Sequence, residues 1–147
     1  MAEIYTEKVL DHVRNPRNVG FLGDADVLAQ AGDPDCGDAV LYSLKIEGEV
    51  VRKVKFLIKG CGTAVAASSV ATELVMGKSL DEVLALDERG IAAALGGLPE
   101  GKMRCTDMAL SALHAAVERY RSTTADDGAP SPARKDILQE KTLKRVW

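Results

Sequence analysis

An α+β fold, with a small three-stranded antiparallel sheet and helices packed on one of its faces, follows from three features of the sequence. Residues 40–46 and 54–58 alternate apolar and polar side chains on either side of Glu47-Gly48-Glu49, the pattern of a half-buried hairpin. Apolar and small residues then recur at helical spacing through 64–76 and again towards residue 121. A sheet this small is not stable alone in water, so the helices have to cover one face.

In chain order, Tyr5, Val9 and Val13 give a first helix over 5–13, which ends near Arg14 because Pro16 biases Asn15 away from helical backbone. Asn18, Gly20 and Gly23 mark a loop. Val27, Ala29 and Ala31 alternate against Leu28 and Gln30 as a first short strand. Val40, Tyr42, Leu44 and Ile46 form one face of the second strand. Val54, Phe56 and Ile58 mirror them on the third, against a wet face carrying Lys53, Lys55 and Lys59. Gly60-Cys61-Gly62-Thr63 turns into a helix over 64–76, closed by Gly77. Ser79 and Glu82 have capping-box spacing for a short helix, and Asp87 can cap another that ends at Gly96-Gly97. The last long helix starts between Lys102 and Cys105 and runs to about Arg121, burying Ala109, Leu113, Ala116, Val117 and Tyr120.

The chain has 147 residues, 46% of them hydrophobic, enough for one core and not for two. Residues 1–122 form that domain. Residues 123–132 have linker composition, and the tail 123–147 carries at most a short helix over 136–147. A net charge of −3 gives no basic groove for nucleic acid and no pull towards an anionic membrane. The N-terminus lacks the apolar run of a signal peptide, so a cytoplasmic protein is expected. Three cysteines, an odd number, point in that compartment to metal, sulfur or redox chemistry before a disulfide framework.

Each cysteine falls at the edge of an element. Cys36 lies in the turn Asp33-Pro34-Asp35-Cys36-Gly37-Asp38, two residues from a carboxylate and directly before a strand. Cys61 precedes a helix N-terminus, where free N–H groups and the macrodipole favour negative charge on sulfur, and Cys105 lies at another helix start. Gly37, Gly60 and Gly62 let the backbone approach a bulky ligand. The gaps of 25 and 44 residues are too wide for a zinc knuckle, and a lone cysteine such as Cys36 can equally be a small buried hydrophobe. His12 reads as a helix-packing or capping histidine, His114 as a surface or packing one, and Met76, Met103 and Met108 as core filler.

Four ordered motifs carry a resemblance. Tyr5-Thr6-Glu7-Lys8-Val9-Leu10-Asp11-His12 with Asn15-Pro16-Arg17-Asn18-Val19-Gly20, then Asp35-Cys36-Gly37-Asp38, then Lys59-Gly60-Cys61-Gly62-Thr63-Ala64, then Leu98-Pro99 with Lys102-Met103-Arg104-Cys105 resemble the IscU/NifU-type iron–sulfur cluster assembly scaffolds, over roughly residues 4–120. The resemblance implies that Cys36, Cys61 and Cys105 are cluster ligands, that Asp38 keeps the cluster labile, and that Lys102 belongs to the assembly site. It implies a transient [2Fe-2S] cluster, built from iron and from persulfide sulfur that a cysteine desulfurase delivers, reduced through a ferredoxin and passed to apo-protein acceptors. The expected role is that of a scaffold and not an enzyme. Soft thiolates suit iron–sulfur ligation, and a harder oxygen ligand should hold less firmly. Cys105, at a flexible loop-to-helix junction, is the expected first acceptor of persulfide sulfur.

Two departures matter. Arg104 stands where better-known members have a histidine, and arginine cannot ligate a metal, so the fourth ligand must come from Asp38, water or a partner's cysteine. Arg104 is expected instead either to donate hydrogen bonds that stabilise the Cys105 thiolate or to be a solvated surface arginine. The segment Leu98-Pro99-Glu100-Gly101-Lys102 also lacks the second proline of the chaperone-binding motif, which gives no ground to expect a dedicated Hsp70. The alternatives are a zinc-dependent sulfurtransferase, with zinc held by Asp38, Cys36, Cys61 and Cys105, and a structural zinc adaptor. The gap between Cys61 and Cys105 lacks the insertion of SufU-type zinc-dependent relatives, which favours the scaffold.

Overall fold

Hydrophobic alternation in the second and third strands produces the longest pairing of the fold. The computed structural model describes residues 5–32, 38–98 and 104–127, with side chains to residue 122. Strands β1 (Val27–Gly32), β2 (Ala39–Glu47) and β3 (Val50–Lys59) form an antiparallel sheet in the order β1-β2-β3. Glu47 pairs with Val50, so the β2–β3 loop is the two residues Gly48 and Glu49, both at positive φ (57° and 63°). That is the geometry whose twist matches a hairpin.

Helix α1 (Glu7–Arg14) starts at Thr6, whose hydroxyl accepts from the Val9 N–H at 3.1 Å and donates to the Leu95 carbonyl. Helix α2 (Gly62–Val75) is buried on nearly every side, and Ala64, Ala66, Ala67 and Ala71 let it lie close to its neighbours. Helix α3 (Leu80–Ala85) begins with the expected capping box of Ser79 and Glu82, and Asp87 caps α4 (Glu88–Ala94) through the Gly90 N–H. Helix α5 (Arg104–Asp127) buries Ala109, Leu113, Ala116 and Val117, with Tyr120 half-buried. It runs past the expected end near Arg121, so a domain boundary at residue 122 cuts through a helix. The tail beyond residue 127, including the expected helix over 136–147, lies outside the described residues.

All helices gather on one face of the sheet, α2 against β3 and α5 against β1 and β2, with α1 packed on α2. Between them sit Tyr42 and Phe56, fully buried with ring centroids 5.9 Å apart, each contributing roughly 2–3 kcal/mol by burial. The second face is less wet than the alternation predicts. Lys53, Lys55 and Lys59 are exposed there, but Leu28, Leu41 and Ser43 are buried. The segment after α1 closes over them: Asn18 and Gly20 bond the backbone of Phe56 on the outer edge of β3, and the Leu22 N–H donates to Ser43 Oγ at 3.0 Å. Among the described residues no helix is long and apolar enough to cross a membrane.

Candidate metal centre

Three separate elements deliver three metal-ligating side chains to one point. Asp38 leads into β2, Cys61 is the N-cap of α2, and Cys105 is the second residue of α5. The Asp38 carboxylate and the two sulfurs all lie within 4.8 Å of one another. Donors around a single tetrahedral metal with sulfur at 2.3 Å would stand about 3.8 Å apart, so the group is spaced for metal or for a small cluster. Cys36 and Lys102 lie outside the described residues, as do Gly37, Pro99 and Met103.

The local backbone explains the placement. Cys61 has extended dihedrals (φ −77°, ψ 172°) and no side-chain cap, so the first N–H groups of α2 remain available to an anion beside its sulfur. Gly60 is the residue Asp38 requires. A Cβ there would stand 3.1 Å from Asp38 Cγ and 3.2 Å from Asp38 Oδ1 and Ala64 Cβ. Gly32, which the sequence reading did not single out, holds Asp38 from the other side. Its φ is +84° and a Cβ would fall 2.3 Å from the Asp38 carbonyl oxygen. Gly62 meets only Val13, at ordinary contact distance, so no close approach within the protein demands it.

The two described thiols are unequal, and neither is in a disulfide. Cys61 is exposed. Cys105, expected on a flexible junction, instead sits in the first turn of α5 with 4% exposure. An open cleft of about 500 Å³ reaches it, lined by Ala31 and Gly32 of β1, by Asp38, and by Arg104, Asp107, Met108 and Ser111 of α5. Arg104 is thus at the cleft and exposed beside Cys105. Asp107 and Ser111 are lining residues without a motif to announce them. They become visible only when the i, i+3 and i+4 neighbours of Arg104 and Asp107 are drawn on the helix surface.

The remaining sequence candidates lie elsewhere. His12 is 6% exposed and joins α1 to α2: Nδ1 is 2.7 Å from Ser69 Oγ, and Nε2 is 3.3 Å from a Glu73 carboxylate oxygen. Ser69 Oγ already accepts the Arg17 N–H at 2.8 Å, so its own proton is free to go to Nδ1, which assigns the neutral ring with hydrogen on Nε2. Burial, reinforced by the Arg17 charge, lowers the pKa of His12 against the opposing pull of Glu73 and Asp11. His114 makes a packing contact in which Nε2–H donates to the Val83 carbonyl at 3.0 Å. Met108 is half-buried at the cleft, and Met76, read as core filler, is exposed at the end of α2.

Comparison with known proteins identifies the family. Residues 4–127 match the family model described as NifU-like N terminal domain. The iron–sulfur cluster assembly scaffold protein IscU of Aquifex aeolicus (strain VF5) is 48% identical over 122 residues, covering 82% of this chain and 78% of its own. Its namesake from Escherichia coli (strain K12) is 42% identical over 122 residues, covering 80% and 94%. Among solved structures, a nitrogen-fixing NifU-like protein (N-terminal) from Brucella abortus has a TM-score of 0.64 at 22% identity, over 80% of this chain and 94% of that one, a likeness of fold.

Proposed function

Since the chain belongs to the NifU-like N-terminal domain family, we propose that it is a scaffold on which a transient [2Fe-2S] cluster is assembled and from which it is handed to apo-proteins. One observation carries the reading: a carboxylate and two thiols from three distant elements meet within 4.8 Å at the rim of an open cleft. Cys36, two residues before Asp38, supplies the third thiol.

In this account a cysteine desulfurase transfers persulfide sulfur to Cys105 through the cleft. Iron enters between Asp38, Cys61 and the other thiolates. The two sulfane sulfurs need four electrons to become bridging sulfides: oxidation of two ferrous ions to ferric supplies two, and a reduced ferredoxin supplies the other two. Arg104 and Lys102 stabilise the anionic sulfur species during transfer. Asp38 is the ligand that lets go first, because a carboxylate oxygen holds iron less firmly than thiolate does. The chain gives up its product with the cluster and does not turn over, so it is a cargo carrier and not an enzyme. The setting is cytoplasmic, among soluble donors and acceptors.

A second reading is kept because the same spacing suits one zinc ion: a zinc-dependent sulfurtransferase in which a thiolate exchanges onto the desulfurase persulfide. Counting metal and acid-labile sulfide after anaerobic incubation with desulfurase, cysteine, ferrous iron and dithiothreitol as reductant separates the two. The scaffold ends with iron and sulfide in equal amounts. One zinc without sulfide, together with accelerated desulfurase turnover, would reject it.

A further inference from the structure

We propose that the lysine-bearing face of the sheet, with Phe21 at its margin, is a docking surface that seats an acidic recipient protein beside the exposed Cys61. Lys53 and Lys55 project from β3 on the face away from the helices, and both are exposed. In the β2–β3 register Lys45 stands directly opposite Lys53. Like charges opposed across strands cost stability. Lys45 has Asp24 at 3.7 Å, whereas Lys53 and Lys55 make no ion pair among the described residues. The chain carries a net charge of −3, so this positive stripe is a local feature set in an acidic protein.

An apolar anchor accompanies the charges. A Cβ on Gly20 would touch Lys55 Cδ at 3.4 Å, and the Leu22 N–H is bonded to Ser43 on the same face. Between these two residues Phe21 is 44% exposed. An accessible aromatic can anchor an interface, and the lysines bordering it supply the rim charge that steers a partner of opposite sign. The strand also points the right way: β3 runs from the hairpin through Lys59 and Gly60 to Cys61. From Lys55 to Cys61 is about 20 Å along an extended chain, within the span of a standard protein interface of about 800 Å² per partner. An acidic partner resting on the lysines therefore places its edge at the metal centre. That the partner is a cluster recipient rests on the scaffold reading; that it is acidic does not.

The test uses fluorescently labelled apo-ferredoxin of the [2Fe-2S] type, an acidic recipient, titrated with the full cluster-free chain at about 0.02 M and about 0.2 M salt. Binding should weaken with salt. Lys53→Gln with Lys55→Gln should weaken it about tenfold at low salt and flatten the salt dependence. Phe21→Ala should weaken it by a similar factor while leaving the salt dependence intact. Thermal melts of the double variant should match or exceed the parent, since a like-charge pair is removed. Unaltered binding by both variants, or no binding at low salt, overturns the proposal. So does equally tight, equally lysine-dependent capture of heparin or of phosphatidylserine vesicles, which would make the stripe a general polyanion surface. Because the assay needs no cluster, failure of cluster formation would count against the scaffold reading alone.

Discussion

The Asp38 carboxylate packs against the bare backbone of Gly60, leaving 3.1 Å between Asp38 Cγ and any Cβ placed there. One glycine thus sets the position of the carboxylate relative to the sulfurs of Cys61 and Cys105. Gly60→Ala forces the carboxylate or Ala64 to move by a few tenths of an ångström. It should weaken zinc or iron binding roughly tenfold, the usual cost of disturbing a residue that orients a ligand. A metal competition assay reads this directly, and unchanged affinity would mean that Asp38 is not held by this contact.

Asp38→Ala separates binding from release. With only thiolates left, a reconstituted cluster should persist longer and pass to apo-ferredoxin more slowly. Cluster decay followed by visible absorption gives the answer, and faster loss would remove Asp38 from the release step.

Gly32→Ala should be costly for a different reason. At φ +84° an alanine is strained, and its Cβ would fall 2.3 Å from the Asp38 carbonyl oxygen. Loss of about 2 kcal/mol or more is expected, seen as a lower denaturation midpoint, together with impaired metal binding. A stable variant with intact affinity would show that the β1 end is free to rearrange.

His12 makes the fold sensitive to acid. Its folded-state pKa lies below the ordinary 6.5, chiefly through burial, so the unfolded chain takes up the proton first as the pH falls. The contribution is complete above about pH 6.5 and is lost as the pH drops through that value towards the folded pKa. Denaturation midpoints between pH 8 and pH 5 should therefore decline more steeply in the parent than in His12→Asn, which can still accept from Ser69. Parallel pH profiles would clear His12 of this role.

Tyr42 tests the core. Its hydroxyl donates to the Ser68 carbonyl at 2.9 Å with no exposure, and burial raises its pKa far above the ordinary 10, so it stays neutral in the folded protein. Tyr42→Phe keeps the packing and loses one buried hydrogen bond. It should cost about 1 kcal/mol, or about 2–4 °C in melting temperature.

What the sequence made legible was whatever repeats or punctuates locally. Alternation placed β2 and β3, the Ser79–Glu82 spacing placed α3, and position at an element edge marked Cys61, between two glycines, and Cys105. Less legible were features decided by distant partners. The segment from Asn18 to Leu22 has no period, yet it pairs with Phe56 and bonds Ser43, and so covers part of a face that looked wet. Gly32 resembles any strand-end glycine until Asp38 is brought against it. Helix α5 continues through Thr123 and Thr124, residues of modest propensity, to Asp127, because extending a formed helix costs far less than starting one. Burial of Cys105 follows from the packing of α5 on β1 and β2, which no local pattern encodes.

The central claim is tested most directly by anaerobic reconstitution with ferrous iron, cysteine, a cysteine desulfurase and dithiothreitol as reductant, followed by visible and Mössbauer spectroscopy. The same experiment is run on Cys36→Ala, Cys61→Ala and Cys105→Ala. The account predicts a labile [2Fe-2S] signal that needs all three thiols and moves to apo-ferredoxin. A colourless protein that keeps one tightly bound zinc and still drains persulfide from the desulfurase would contradict it.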